Sequence, residues 1–160
     1  MKEKEDFSIE GLDKNSLQNL FLEFLEHIKN KNLVSQEILI PITIFDSNKI
    51  SSFQLVVKYL KENYNLTYHQ LALLVNRDDR TIWSTYNNAI KKKKGKFVLK
   101  ETRFYFPISI IYNRKLSVLE SIVKYLKENY NLTYHQLALL VNRDDRTIWS
   151  TYNNALKKWK

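Results

Sequence analysis

The chain has 160 residues, no cysteine and a formal net charge of +9, from 26 Lys and Arg against 17 Asp and Glu. The lack of cysteine excludes disulfides and thiolate metal sites, and two glycines in the whole chain argue against glycine-rich nucleotide loops. The charge is segregated: residues 1–40 hold five lysines and eight acids (−3), residues 56–94 eight bases and three acids (+5), and residues 122–160 seven and three (+4). A positive field confined to two stretches fits a polyanionic partner.

The chain opens MKEKEDFSIE, which lacks the apolar run of a signal peptide. Apolar runs such as Ile38–Ile40 and Leu71–Val75 are far too short to span a bilayer. A soluble, cytoplasmic protein without membrane contact is expected. From about Lys14 to Lys31, Leu17, Leu20, Phe21, Phe24, Leu25 and Ile28 recur at helical spacing and predict an amphipathic helix, with Asn32 as its stop. This acidic segment, residues 1–36, is the first expected domain, and its apolar stripe is expected to be buried against the first module, a second copy of the chain or another protein partner.

Residues 57–89 and 123–155 are then identical over 33 positions, VKYLKENYNLTYHQLALLVNRDDRTIWSTYNNA, at an offset of 66. A looser match extends upstream, IPITIF from Ile40 against FPISII from Phe106. The stretches Glu37–Phe45 and Arg103–Ile111 are rich in Ile, Phe, Tyr and Thr and carry a proline at the same place, so they predict edge strands or extended arms. They are natural partners for one another. Two modules follow, 37–94 (arm and helices) and 95–160 (linker, arm and helices), each small enough to need support from its neighbours.

Within a module, helices are predicted at Ser51–Tyr64 and Ser117–Tyr130, burying Phe53, Val56, Val57, Leu60 and Tyr64 in the first and Leu119, Ile122, Val123, Leu126 and Tyr130 in the second. Thr67 and Gln70 form a capping box for a short second helix ending near Val75. Asn76 takes the turn, and Asp78 caps a third helix that runs to about Lys92, whose lysines suit its negative end. Gly95 marks the joint.

From Leu71 the pattern is L-A-x-x-V-N-R-D-x-x-T-I-x-x-x-Y. It supplies a small residue where two helices cross (Ala72), a turn residue tolerant of left-handed backbone (Asn76), and apolar anchors from both helices (Leu71, Val75, Ile82, Tyr86). Ala138, Asn142, Ile148 and Tyr152 repeat it. These are the demands of a helix-turn-helix. The stretch from Leu66 through Lys93 resembles region four of bacterial sigma factors and, equally, the helix-turn-helix of insertion-sequence transposases, where a Gly-Arg-Ser turn stands in place of Asn76-Arg77-Asp78. The resemblance covers about 28 residues per copy, and the chain has no room for a transposase catalytic domain or the other sigma regions. It implies DNA binding.

The fold class expected is therefore all-α: an N-terminal helix and two tandem tri-helical helix-turn-helix modules with short extended arms. The outward residues of the third helices are the candidates for reading base edges: Asp79, Arg80, Trp83, Ser84, Asn87, Asn88 and Lys91, with Asp145, Arg146, Trp149, Ser150, Asn153, Asn154 and Lys157 in the second copy. Arginine offers guanine two parallel donors, and asparagine matches adenine. The competing place for Trp83 is the core beside Ile82 and Tyr86. Phosphate contacts are assigned to Thr67, Tyr68, His69, Gln70, Arg77 and the lysines Lys91 to Lys94, and to Thr133, Tyr134, His135, Gln136, Arg143 and Lys157 in the second copy. His69 has no partner at ligand spacing, and Asp78-Asp79 is explained by a helix start, so no metal, cofactor or catalytic set is expected and the chain is not expected to be an enzyme. The expected function is sequence-selective binding of double-stranded DNA in the major groove at two half-sites, as a nucleoid-associated transcriptional regulator. Two alternatives remain: an architectural DNA binder with little sequence preference, and an adaptor that binds RNA polymerase or another regulator. Arms that pair about a two-fold predict a palindromic site, a head-to-tail arrangement a direct repeat.

Overall fold

The computed structural model describes residues 13–30 and 37–160, which form two separate compact units, 1–36 and 37–160. Among the described residues there are seven α-helices and one two-stranded sheet, so the fold is all-α with short extended arms. In the first unit, α1 spans Lys14–Asn30. Asp13 starts it by accepting hydrogen bonds from the backbone of Asn15 and Ser16, both 2.8 Å. Leu17, Phe21, Leu22, Phe24 and Leu25 are exposed on it. The opening decapeptide, the side chain of Ile28 and the predicted stop at Asn32 lie outside the described residues.

The second unit is built around the two arms. β1 (Leu39–Pro41) pairs antiparallel with β2 (Tyr105–Pro107), setting Ile40 opposite Phe106. The offset of 66 makes these two residues equivalents, so the ladder has a local two-fold axis through that pair. The flanking bonds obey it: Ile42 N–H donates to the Phe104 carbonyl and Ile108 N–H to the Ile38 carbonyl, each 3.0 Å. Alternation along the strands puts Pro41 and Pro107 where an amide would face away from the partner strand, so neither costs a ladder bond. Each proline is followed by a short 3₁₀ turn, Ile42–Ile44 and Ile108–Ile111.

Three helices follow each arm: α2 (Ser52–Tyr64), α3 (Tyr68–Val75) and α4 (Asp79–Lys92), then α5 (Val118–Tyr130), α6 (Tyr134–Leu140) and α7 (Asp145–Trp159). Their starts follow from side-chain chemistry. Capping boxes close Ser51 with Gln54, Thr67 with Gln70, Ser117 with Glu120 and Thr133 with Gln136. Asp78 and Asp144 cap the third helices. Asn76 and Asn142 take the left-handed turn at φ 52° and 51°, and Asn65 and Asn131 end the first helices in the same way.

Within each module the third helix packs on the first and second, and α2 packs on α5 across the seam. One core runs through both modules, with Ile40, Phe106, Leu71, Ile82, Leu137 and Ile148 fully buried in it. Because α2 has neighbours on two sides, Leu55, Lys58 and Tyr59 are buried besides the predicted Val56, Val57 and Leu60. Tyr64 departs from expectation: it is 42% exposed. Its counterpart Tyr130 is held edge-on to Phe104 (centroids 5.3 Å apart), and its hydroxyl joins the backbone N–H and carbonyl of Tyr105. The first arm has Ile38 where Phe104 stands, so Tyr64 lacks that ring to pack on.

Candidate functional site

The helical turn of 3.6 residues puts Arg80, Trp83, Ser84, Asn87, Asn88 and Lys91 along one side of α4, opposite the buried Ile82 and Ala89. Trp83 is 54% exposed and Trp149 56%, so the core is not where this tryptophan lies. Arg80 and Arg146 are exposed and enter no ion pair among the described residues. Their donors face solvent at the first turn of a capped helix. Asn87 and Asn153 are half-buried and fold back, each donating to the backbone carbonyl of the preceding tryptophan at 2.8 Å, which leaves the amide oxygen outward. Ser84 and Ser150 do the same towards Thr81 and Thr147 at 3.0 Å. Asn88, Asn154, Lys91 and Lys157 are exposed.

Asp79 is not isolated on this face. Its carboxylate lies 3.1 Å from Nδ1 of His69, and Asp145 lies 3.1 Å from His135. The pair ties the start of α3 to the start of α4, so the two helix beginnings form one continuous surface in each module. Sequence spacing gave no sign of it, because the nine intervening residues include a turn whose path sets the approach.

At the start of α3, Thr67 Oγ accepts from Gln70 N–H at 3.1 Å and Gln70 Oε1 accepts from Thr67 N–H at 2.9 Å. The box consumes one of the first-turn amides of the helix. The amides of Tyr68 and His69, the Thr67 hydroxyl hydrogen and the Gln70 amino group remain for an incoming acceptor. Thr133 and Gln136 repeat this. Tyr68 and Tyr134 are half-buried and tilt against Tyr86 and Tyr152, with Lys61 and Lys127 over their rings. Burial pushes the Tyr86 and Tyr152 hydroxyls up from their ordinary pKa.

The turn arginines are engaged by backbone carbonyls. Arg77 donates to the carbonyls of Val75 (3.1 Å) and Asn76 (2.9 Å) and lies over Phe53, and burial together with Arg114 lowers its pKa. Arg143 reaches across to the Ile50 carbonyl of the other module at 3.1 Å. Two lysines at the end of α4 are also engaged, Lys92 with Gln54 and Lys93 with Asp46, and Lys158 binds Glu120 at 2.8 Å. Lys92 and Lys158 are equivalents, and so are Gln54 and Glu120, so this strut between third and first helix is built twice.

Among the described residues no three His, Cys, Asp or Glu side chains gather as a metal site, and no helix is long and apolar enough to cross a membrane. The chain matches no family model, no curated protein and no solved structure.

Proposed function

We propose that the protein binds double-stranded DNA sequence-selectively through two helix-turn-helix modules, α4 and α7 each entering a major groove, as a nucleoid-associated transcriptional regulator. The observation that carries this reading is the pair of equivalent faces, each with an exposed Arg and Trp at the start of a capped third helix and with free helix-start amides beside them. Guanidinium and indole groups at the first turns suit base edges, and the amides at Thr67 and Thr133 suit flanking phosphates. The two-fold of the arm ladder supports inverted half-sites, because equivalent heads related by a dyad meet equivalent sequences on opposite strands.

The test is selection from a random duplex library at near-physiological salt. A short motif enriched twice, inverted and at fixed spacing, is the expected result. Two copies in the same orientation would replace the palindrome by a direct repeat. Binding without enrichment would move the protein to the architectural class and remove the base-reading roles of Arg80, Trp83 and Asn87. A second reading, an adaptor for RNA polymerase or another regulator, draws on the exposed apolar side chains of α1. Salt separates the two: phosphate contact gives a steep fall of log K with log salt, and apolar docking does not.

A further inference from the structure

Each module carries one side-chain pair whose exposure gives it little share in stability. In the first, Nδ1 of His69 lies 3.1 and 3.2 Å from the two oxygens of Asp79, and in the second His135 meets Asp145 at the same two distances. The side chains are 56% and 57% exposed in the first pair and 69% and 58% in the second. A pair so open to solvent stabilises a fold only weakly. An acid in the first turn of a helix is also favoured by the helix dipole without any imidazole, so the histidine is the member to be explained. Among the described residues the imidazole is the only side chain bonded to each carboxylate, and what it does is fix where that carboxylate points.

A carboxylate only accepts hydrogen bonds, so the hydrogen between the two groups sits on Nδ1 and the imidazole donates. One donor shared by two oxygens leaves the outer lone pairs of both open to a further donor. Asp79 stands in the first turn of α4 beside the exposed Arg80, on the helix start that a recognition helix turns towards base edges. Phosphates repel a carboxylate there, so the donor that suits it is on a base. In the major groove cytosine presents a donor alone, adenine presents a donor beside the acceptor N7, and guanine and thymine present no donor. An acceptor-only side chain matches cytosine best.

We propose that Asp79 and Asp145 are specificity-determining residues, each accepting a hydrogen bond from the N4 amine of a cytosine in its half-site, and that His69 and His135 are positioning residues that aim them. This rests on the DNA-binding reading above. It takes the two histidines off the phosphate backbone and gives them an indirect part in base reading. Both modules build the pair from identical residues with the same geometry, so the cytosine recurs at the equivalent place of both half-sites.

The experiment compares binding-site selection by four forms of the full chain: unaltered, Asp79→Asn with Asp145→Asn, His69→Ala with His135→Ala, and His69→Gln with His135→Gln. The unaltered chain should enrich a motif with cytosine at one fixed position of each half-site. The asparagine form should move that position to adenine, which offers an amide both a donor and an acceptor, and keep the rest of the motif. In the alanine form the preference for cytosine over other bases should fall about tenfold, read by titration of matched duplexes. Glutamine, whose amide also donates to a carboxylate, should restore most of it. A motif without cytosine at a shared position, or a cytosine preference unchanged in the asparagine or alanine form, would overturn the proposal and leave the DNA-binding reading standing. A loss equal across all sequences in the alanine form would also overturn it and return the histidines to phosphate contact. No enriched motif from the unaltered chain would remove sequence-selective binding and this proposal together.

Discussion

Lys58 and Lys124 stand at the same place in the same 33 residues, yet one is sealed under a linker and the other borders an open cleft. Tyr64 and Tyr130 differ likewise, one exposed and one locked to the strand edge. Arg77 and Arg143 both donate to the carbonyl of the preceding asparagine, but only Arg143 also crosses the seam, to the Ile50 carbonyl. Several interactions confined to the repeat agree between the copies. The cap from Asp78 to Thr81 measures 2.8 Å to the amide and 2.6 Å to the hydroxyl, as does that from Asp144 to Thr147. His–Asp and Asn–Trp geometries also agree between copies. Identical sequence sets these caps and contacts alike in both copies, and the non-identical flanks account for the differences at Lys58, Tyr130 and Arg143.

The seam offers the strongest way to break this comparison. Phe106→Ala should cost about 3–5 kcal/mol and Ile40→Ala about 2–5, because both are fully buried. They face one another, so the double variant should lose less than the sum, read by denaturant unfolding in a double-mutant cycle. Additive losses would show that the arms do not share a core.

Next comes the lysine pair. Lys58→Ala strands Glu62 beneath the linker and should cost about 3 kcal/mol, whereas Lys124→Ala removes a partly exposed pair and should cost under about 1. Equal losses would remove the distinction between covered and open grooves.

The recognition faces should behave alike. Arg80→Ala and Arg146→Ala are each expected to weaken specific DNA binding by about 1–3 kcal/mol and to relax selectivity at one position of a half-site. Binding titrations against selected and scrambled duplexes check this. A loss that is uniform across sequences would make these arginines phosphate contacts.

The smallest effect is at the caps. Asp78→Ala and Asp144→Ala should each destabilise the fold slightly, by removing the cap of a third helix. Bonds from Thr81 and Thr147 hold both carboxyls below their ordinary value of 3.8. Depressed carboxylate pKa values contribute stability above that value and lose it as pH falls through the folded-state pKa. Thermal melts should therefore drop from about pH 4 downward, less steeply in the double Ala variant.

Much of the architecture was legible before the fold. Helix starts at Ser51, Thr67 and Asp78, the turn at Asn76 and the buried faces around Val57, Leu71 and Ile82 follow from caps, left-handed tolerance and helical period, which act within a few residues. The candidate interface was legible as a list, since Arg80, Trp83 and Lys91 share a helix face by spacing alone. The reach of Arg143 across the seam was not, nor was the bond between His69 and Asp79.

By itself, then, the sequence determined the seven helices among the described residues, their caps, the repeated face and the segregation of positive charge, because each is set locally along the chain. The tertiary structure alone decided that the arms pair antiparallel about a two-fold, that Tyr64 is exposed and Tyr130 held, and that Lys58 is buried while Lys124 is not. Those outcomes rest on contacts between residues tens of positions apart, where the partner brought near, and not the residue itself, sets burial and bonding.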